Sequence, residues 1–417
     1  MAPLHSPGTP AATRAPWFAR AAAPCAAAAL LLAALAGCGG GGSDDSTTST
    51  GSTSGGTTAT AARYTEGTLN GFGSIIVNGV RFDDTSATVT DDNGGLRTAS
   101  HLKLGMRVSV DSGAVDASGN AKASAVRFGS EIVGPVASIT AASNQLVVLG
   151  QTVEVTSTTV FDDSLAAGLS AIAAGAVVEV HGLPDSTTGR FVATRIESAS
   201  TATSYKLRGT VASLDATAKT FKIGAATIAY GSATNVPTTL ADGSTVRVLL
   251  ATTPVSGVWQ ATSLGSGTRS KLPDSTSAHL RGKISTFTSS ASFVVNGMAV
   301  DASAASFPDG STALAAGVEV EVEGTVSNGV LVATKVEIES RHSSDDSRKF
   351  DLRGAITSID TTAKTFVVKG VTVSYSGTVS YENGTAAGLV VGAKVRVTGG
   401  VGSTRSQVIA TKIRFDS

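Results

Sequence analysis

From residue 63 onward the chain alternates short apolar runs with breaks rich in glycine and asparagine, and no segment keeps a long helical period. Five times an early glycine opens a unit: Gly67, Gly134, Gly209, Gly282 and Gly354. An apolar run ending in a glycine turn follows, as in Ile75-Ile76-Val77-Asn78-Gly79 and Phe293-Val294-Val295-Asn296-Gly297. Asn-Gly between apolar runs is a strong hairpin signal, because both residues tolerate positive φ. Leu146–Gly150, Phe221–Gly224 and Phe366–Gly370 occupy the same place. A second glycine then precedes a strand of period-two alternation, as in Gly175-Ala176-Val177-Val178-Glu179-Val180, Gly317-Val318-Glu319-Val320-Glu321-Val322 and Gly392-Ala393-Lys394-Val395-Arg396-Val397; Gly105 and Gly243 open that strand in the other two units. One apolar face and one charged face mean a sheet buried on one side. A closing strand recurs as Ala193-Thr194-Arg195-Ile196, Ala333-Thr334-Lys335-Val336 and Ala410-Thr411-Lys412-Ile413. The Ala-rich stretch Leu165–Ala174 reads as one short helix or turn before a strand.

Short strands at this spacing point to a small barrel or sandwich, and closure into a barrel removes exposed strand edges. The expected fold class is therefore all-β: a tandem array of five small OB-like barrels, with an SH3-like barrel as the alternative. The repeats are placed at 63–130, 131–199, 205–266, 279–340 and 350–417. Units one and two abut at 129–133, whereas polar joints at 198–204, 265–278 and 340–349 separate the rest, so the arrangement expected is a string of separate modules with one rigid pair. Unit three departs most: Ala241-Asp242-Gly243 alters the approach to its fourth strand, and Ala225-Ala226 is expected to lengthen its hairpin.

The N-terminus reads as an export signal over 1–37. Arg14 and Arg20 supply a positive region, and Ala21–Ala36 runs almost wholly Ala and Leu. That stretch is shorter than the ~20 apolar residues of a spanning helix and suits a cleaved signal. Leu35-Ala36-Gly37-Cys38 resembles the bacterial lipobox, with the Cys38 thiol as the diacylglycerol acceptor. Residues 38–62 are the lipidated cysteine and a Gly/Ser/Thr tether, with a root-mean-square reach of roughly 25–30 Å. Gly39 follows the cysteine where inner-membrane lipoproteins carry Asp; by resemblance to Gram-negative lipoproteins this favours the outer membrane, with the leaflet left open. Cys25 falls in the removed segment, so the exported chain has no internal disulfide.

The sequence of strand, Asn-Gly turn, strand, Leu-x-x-Gly-x-x-Val-x-Val and Ala-Thr-Lys-Val resembles the bacterial domain of unknown function numbered 5666. The matches are clearest at Leu102–Val110, Ala174–Gly182, Ala316–Gly324 and Val391–Gly399, and the likeness covers about residues 65–416. The resemblance implies tandem small β-barrels in an exported lipoprotein. It implies no activity.

Charge and candidate chemistry narrow the function further. The formal net charge is zero with charged residues at 15%, so the basic footprint of a phosphate-backbone binder is missing and no nucleic-acid partner is expected. His101, His181, His279 and His342 stand alone in sequence and read as exposed imidazoles. Without paired histidines or thiolates, no zinc motif is present. No G-x-S-x-G turn or phosphate loop occurs, no cofactor is implied, and Trp259 is the single Trp beyond the signal. OB-like barrels often bind sugars or nucleic acid, but that is analogy of fold only. Arg208, Arg281 and Arg353 recur in Leu-Arg-Gly and read as outward, solubilising residues, or else as a basic stripe. Carboxylates recur beyond the hairpin as Asp83 and Asp91, Glu154 and Asp162, and Asp301 and Asp309. They read as turn residues, with a calcium site as the alternative. The function expected is that of a membrane-anchored, non-catalytic envelope lipoprotein, serving as spacer, scaffold or binding module for an envelope protein or polymer. An envelope enzyme with a site between modules is the alternative, and one deep cleft gathering polar residues from two modules would favour it.

Overall fold

The computed structural model describes residues 63–185, 187–267, 272–339, 349–402 and 406–416. The signal segment, Cys38, the tether and His342 lie outside these residues.

The first unit shows how the repeat closes. Its opening strand, Arg63–Phe72, is long enough to serve two neighbours. The second half pairs antiparallel with Ile75–Val77, and the first half pairs antiparallel with Arg107–Ser112. A register break between Leu69 and Gly71 bends the strand between the two partners, as a bulge does. Ile75–Val77 pairs with Val80–Asp83, which lies parallel to Asn120–Phe128, and that last strand returns antiparallel to Arg107–Ser112. The circuit is closed, with strand three parallel to strand five. That is the OB-like order rather than the SH3-like one.

The same circuit recurs four more times. It is built from Ile132–Thr140, Gln145–Val148, Gln151–Phe161, Val177–Asp185 and Arg190–Ser198 in the second unit. The fourth uses Ser277–Ser289, Ser292–Val295, Met298–Asp301, Glu319–Ser327 and Val330–Ile338. The fifth runs from Phe350–Asp360 to Val408–Phe415. In the third the opening strand is split into Tyr205–Thr210 and Ala212–Asp215, yet the ring still closes through Thr220–Ile223, Ala226–Ala229, Trp259–Ser266 and Thr245–Leu250. Its hairpin is not lengthened: Ile223 pairs with Ala226 across the two-residue turn Gly224-Ala225. Ala226 belongs to the strand because its side chain is buried at the barrel wall. The stretch from Leu165 forms 3₁₀ turns, Asp163–Leu165 and Gly168–Ala171.

Two glycine signals have a physical cause. Gly105, Gly175, Gly243, Gly317 and Gly392 all have φ between 83° and 90°, a region that side chains disfavour. The early glycine lies beneath its own hairpin. A Cβ at Gly67 would stand 1.9 Å from Asn78 Oδ1, and one at Gly282 would stand 2.1 Å from Asn296 Oδ1.

The units are not a string of separate modules. The strand Arg63–Phe72 of barrel one pairs parallel with Ser277–Leu280 of barrel four, and with Asp351 and Leu352 of barrel five. Ile132 and Val133 of barrel two pair antiparallel with Lys206 and Leu207 of barrel three. Barrels two and three share one apolar core, from Ile132 to Leu264. Tyr64 enters the core of barrel four, and Leu104 and Val160 enter that of barrel five. Apolar periodicity reports each barrel's interior, but these contacts are made by backbone edges and by single apolar side chains such as Tyr64, Leu104 and Val160, whose destination in another barrel no local pattern gives.

Candidate functional site

The outer faces of barrels one to four bound a cleft of about 680 Å³. Barrel one contributes Glu66 and Arg107, barrel two Gln151, Asp185 and Arg190, barrel three Arg208, and barrel four Lys283 and Asn296, with Glu131 at the junction of barrels one and two. Gly209, Gly224 and Gly297 also line it, so the recurrent hairpin and opening-strand signals converge on one place. Leu183, Phe191, Ile223 and Val294 supply apolar wall.

Alternation explains why charged groups meet here. In each strand the apolar positions fill the barrel, so the intervening polar positions face the neighbouring barrel. Glu66 accepts a hydrogen bond from Tyr64 Oη at 2.9 Å and lies 3.6 Å from Arg107. Arg107 also donates to the carbonyl of Arg281 in barrel four at 3.1 Å. Arg208 lies 3.0 Å from Glu131 and 3.2 Å from Asp92, and Lys206 lies 3.1 Å from Asp92. Lys283 Nζ donates to Asp185 at 2.6 Å, tying barrel four to barrel two. Burial raises the Asp185 carboxyl, but hydrogen bonds from Lys283 and Thr187 outweigh it and hold the group down at about 2. Buried charges of this kind persist only when paired.

The arginines of Leu-Arg-Gly therefore have three fates, and they form no stripe. Arg208 is buried among acids rather than solvent-facing. Arg281 meets Glu319 at 3.1 Å and Glu339 at 2.8 Å. Arg353 remains exposed beside Asp416.

The carboxylates read as candidate calcium ligands are engaged locally. Asp83 accepts from the backbone and hydroxyl of Thr85. Asp91 accepts from the N–H groups of Asn93 and Gly95 and meets Arg97 at 2.6 Å. Asp162 caps a 3₁₀ turn through Leu165 N–H and also accepts from Ser198. Asp301 accepts from Ser303, Asp309 from Ile338, and Glu154 lies 3.8 Å from Arg190. None of them belongs to the one group of three histidine or acidic ligands among the described residues.

That group is His279, Glu321 and Glu323 on barrel four. The reading of isolated, exposed imidazoles holds for His101 alone among the described histidines; His181 and His279 are buried. His181 Nδ1 lies 3.1 Å from the Gly129 carbonyl, and its Nε2 is 3.6 Å from Glu179. Burial raises the Glu179 carboxyl. His279 pairs with Glu321. Burial acts to raise Glu321, but the hydrogen bond with His279 outweighs it and the group is lowered. Neighbouring Glu339 is pushed up to about 7, by burial first and by Glu321 and Glu319 in addition, against the pull of Arg281. Sequence spacing missed this set because it is assembled across strand partners rather than along the chain.

The model of the family described as Domain of unknown function (DUF5666) matches residues 66–127, 133–197, 281–337 and 353–414, more than half of the chain. The chain belongs to this family. Residues 205–266 lie outside the four matched DUF5666 segments, yet they close the same five-stranded circuit. Comparison with curated proteins gave no match.

Proposed function

We propose that this DUF5666 protein is a lipid-anchored envelope binding protein, held to the outer membrane through Cys38, as Gly39 after the cysteine favours, and engaging an envelope polymer or protein in the cleft between barrels one to four. One observation carries the reading: repeated modules converge their polar outer faces on one shared cleft of about 680 Å³. The size suits a small ligand or a protruding segment of a larger one. Charges of both signs with apolar patches suit a partner recognised by hydrogen bonds and contact area.

The cleft gathers polar residues from four modules, which favours an enzyme as the second reading. Against it, the lining carboxylates are already engaged: Glu66 with Tyr64 and Arg107, Glu131 with Arg208, and Asp185 with Lys283. A general acid or base must exchange a proton with substrate, and ion pairing opposes that exchange. Binding is therefore the reading best supported.

The test has two arms. Cys38→Ser should block lipidation and leave a larger, unprocessed chain in the cell; a mature N-terminus elsewhere without acyl mass would refute the anchor. A photo-crosslinking residue placed at Gln151 or Asn296 should give one shared adduct in envelope fractions, absent when it is placed at exposed Thr217. Identical adducts from all three positions would refute the cleft as the binding surface.

A further inference from the structure

We propose that His279, Glu321 and Glu323 form a binding site for a divalent transition-metal ion, with zinc the best chemical match, at the seam between barrels one and four. The strand registers build the site. His279 is paired on one side with Thr65 of barrel one and on the other with Glu323 of its own barrel. Paired residues present their side chains to the same face, and Glu321, two residues along, shares it. One ligand atom from each of His279, Glu321 and Glu323 lies within 4.8 Å of the others. Donors about 2.1 Å from one tetrahedral ion stand about 3.4 Å apart, so small side-chain rotations close the set.

Two further observations point to a ligand. His279 turns Nε2 toward Glu321; Thr65, its register partner across the seam, is 0% exposed, and Thr65 Oγ1 is buried without a hydrogen-bond partner on the face that carries the three ligands. Buried polar atoms in that state are uncommon, and an ion is one of the things that explains them. The surrounding charges are also unbalanced. Glu319, Glu321, Glu323, Glu337 and Glu339 are linked by contact to Arg63, His279, Arg281 and Lys335, so acidic side chains outnumber basic ones five to four. A cation coordinated by Glu321 and Glu323 offsets that excess.

The donor set selects the metal class. One imidazole and two carboxylates suit zinc and its first-row neighbours, whereas calcium prefers six to eight oxygens. The fourth position falls to Thr65 Oγ1 or to solvent. Glu323 is 37% exposed at its side chain and gives the ion a route in. The site lies outside the cleft lining, so it stands or falls separately from the binding reading.

The purified chain, treated with chelator, is titrated with zinc alone by calorimetry, and bound metal is counted after gel filtration. One zinc per chain is expected, with a rise in melting temperature. Glu323→Gln and His279→Gln should each weaken binding at least tenfold, while Glu337→Gln, outside the ligand set, leaves it unchanged. Cobalt should give the intense visible bands of a four-coordinate nitrogen and oxygen site. If His279→Gln fails to fold, the half-exposed Glu323→Gln decides the matter. Sub-stoichiometric zinc, equal affinity in Glu323→Gln, or calcium binding as tightly as zinc would each overturn the site.

Discussion

The early glycines of barrels one to four are steric devices, and each has a specific collision to avoid. Asn78 donates from Nδ2 to the carbonyl of Glu66 at 3.0 Å, which locks its amide over Gly67. Asn296 does the same over Gly282, donating to the carbonyl of Arg281 at 3.1 Å. A methyl group at either glycine must break that bond or shift the hairpin. In barrel five a Cβ at Gly354 would stand 3.3 Å from the flexible stem of Lys369 and 3.3 Å from Val368 Cγ1, contacts that a few tenths of an ångström of give relieve. Gly67→Ala and Gly282→Ala are expected to cost about 1–3 kcal/mol each, the range for overpacking. Gly354→Ala should stay within about 0.5 kcal/mol. Thermal unfolding of the three variants checks this. Recovery of stability in Gly67→Ala combined with Asn78→Gly would tie the loss to the Asn78 amide, and an equal loss in Gly354→Ala would contradict the mechanism.

At the scale of the strand, alternation says which way a side chain points from its own barrel but not what it meets. The strand opened by Gly243 alternates as expected, with Val246 and Val248 buried in barrel three, and Arg208 does point away from that barrel's interior, though into its neighbours and not into solvent. The destination of Arg208 depends on Asp92 and Glu131, 116 and 77 positions earlier in the chain, and no local pattern links them. His279 and Glu323 escaped notice for the same reason: they become neighbours only through the register of two strands. By contrast, the fourth-strand glycines and the hairpins follow from two or three adjacent residues and were legible, except for the length of the third hairpin, where Ala226 joins the strand. The three Leu-Arg-Gly arginines turn this distinction into a measurement. Arg208→Met leaves Glu131 buried without its guanidinium and should cost about 3 kcal/mol, the lower end for breaking a buried pair because Lys206 still serves Asp92. Arg353→Met, at an exposed pair, should cost about 0.5 kcal/mol or less. Equal losses in thermal unfolding would mean that the two arginines occupy equivalent environments.

At the scale of the molecule, the five barrels form an assembly through their outer faces. Barrel one is the hub: its opening strand extends into the sheets of barrels four and five, and Asp92 reaches Lys206 and Arg208 in barrel three. Polar joints in the sequence signalled separate modules because composition records a connector's chemistry and not the distance between the domains it joins. Barrel five gives the cleanest test. Arg81 of barrel one donates to Asp351 at 2.7 Å, Phe72 pairs with Leu352, and Leu104 and Val160 from barrels one and two complete the barrel-five core. Those contacts do not depend on an intact connection between barrels four and five. Replacing Ser343-Ser344-Asp345-Asp346 with a protease recognition sequence and cleaving the folded chain should therefore yield two polypeptides that co-elute as one species in gel filtration and part only in denaturant. In the same cleaved protein, Arg81→Ala combined with Val160→Asp should release barrel five, because it removes the ion pair and places a charge in the shared core. Separation of the unmutated fragments under native conditions would restore the picture of independent modules and with it leave the shared cleft without a rigid frame.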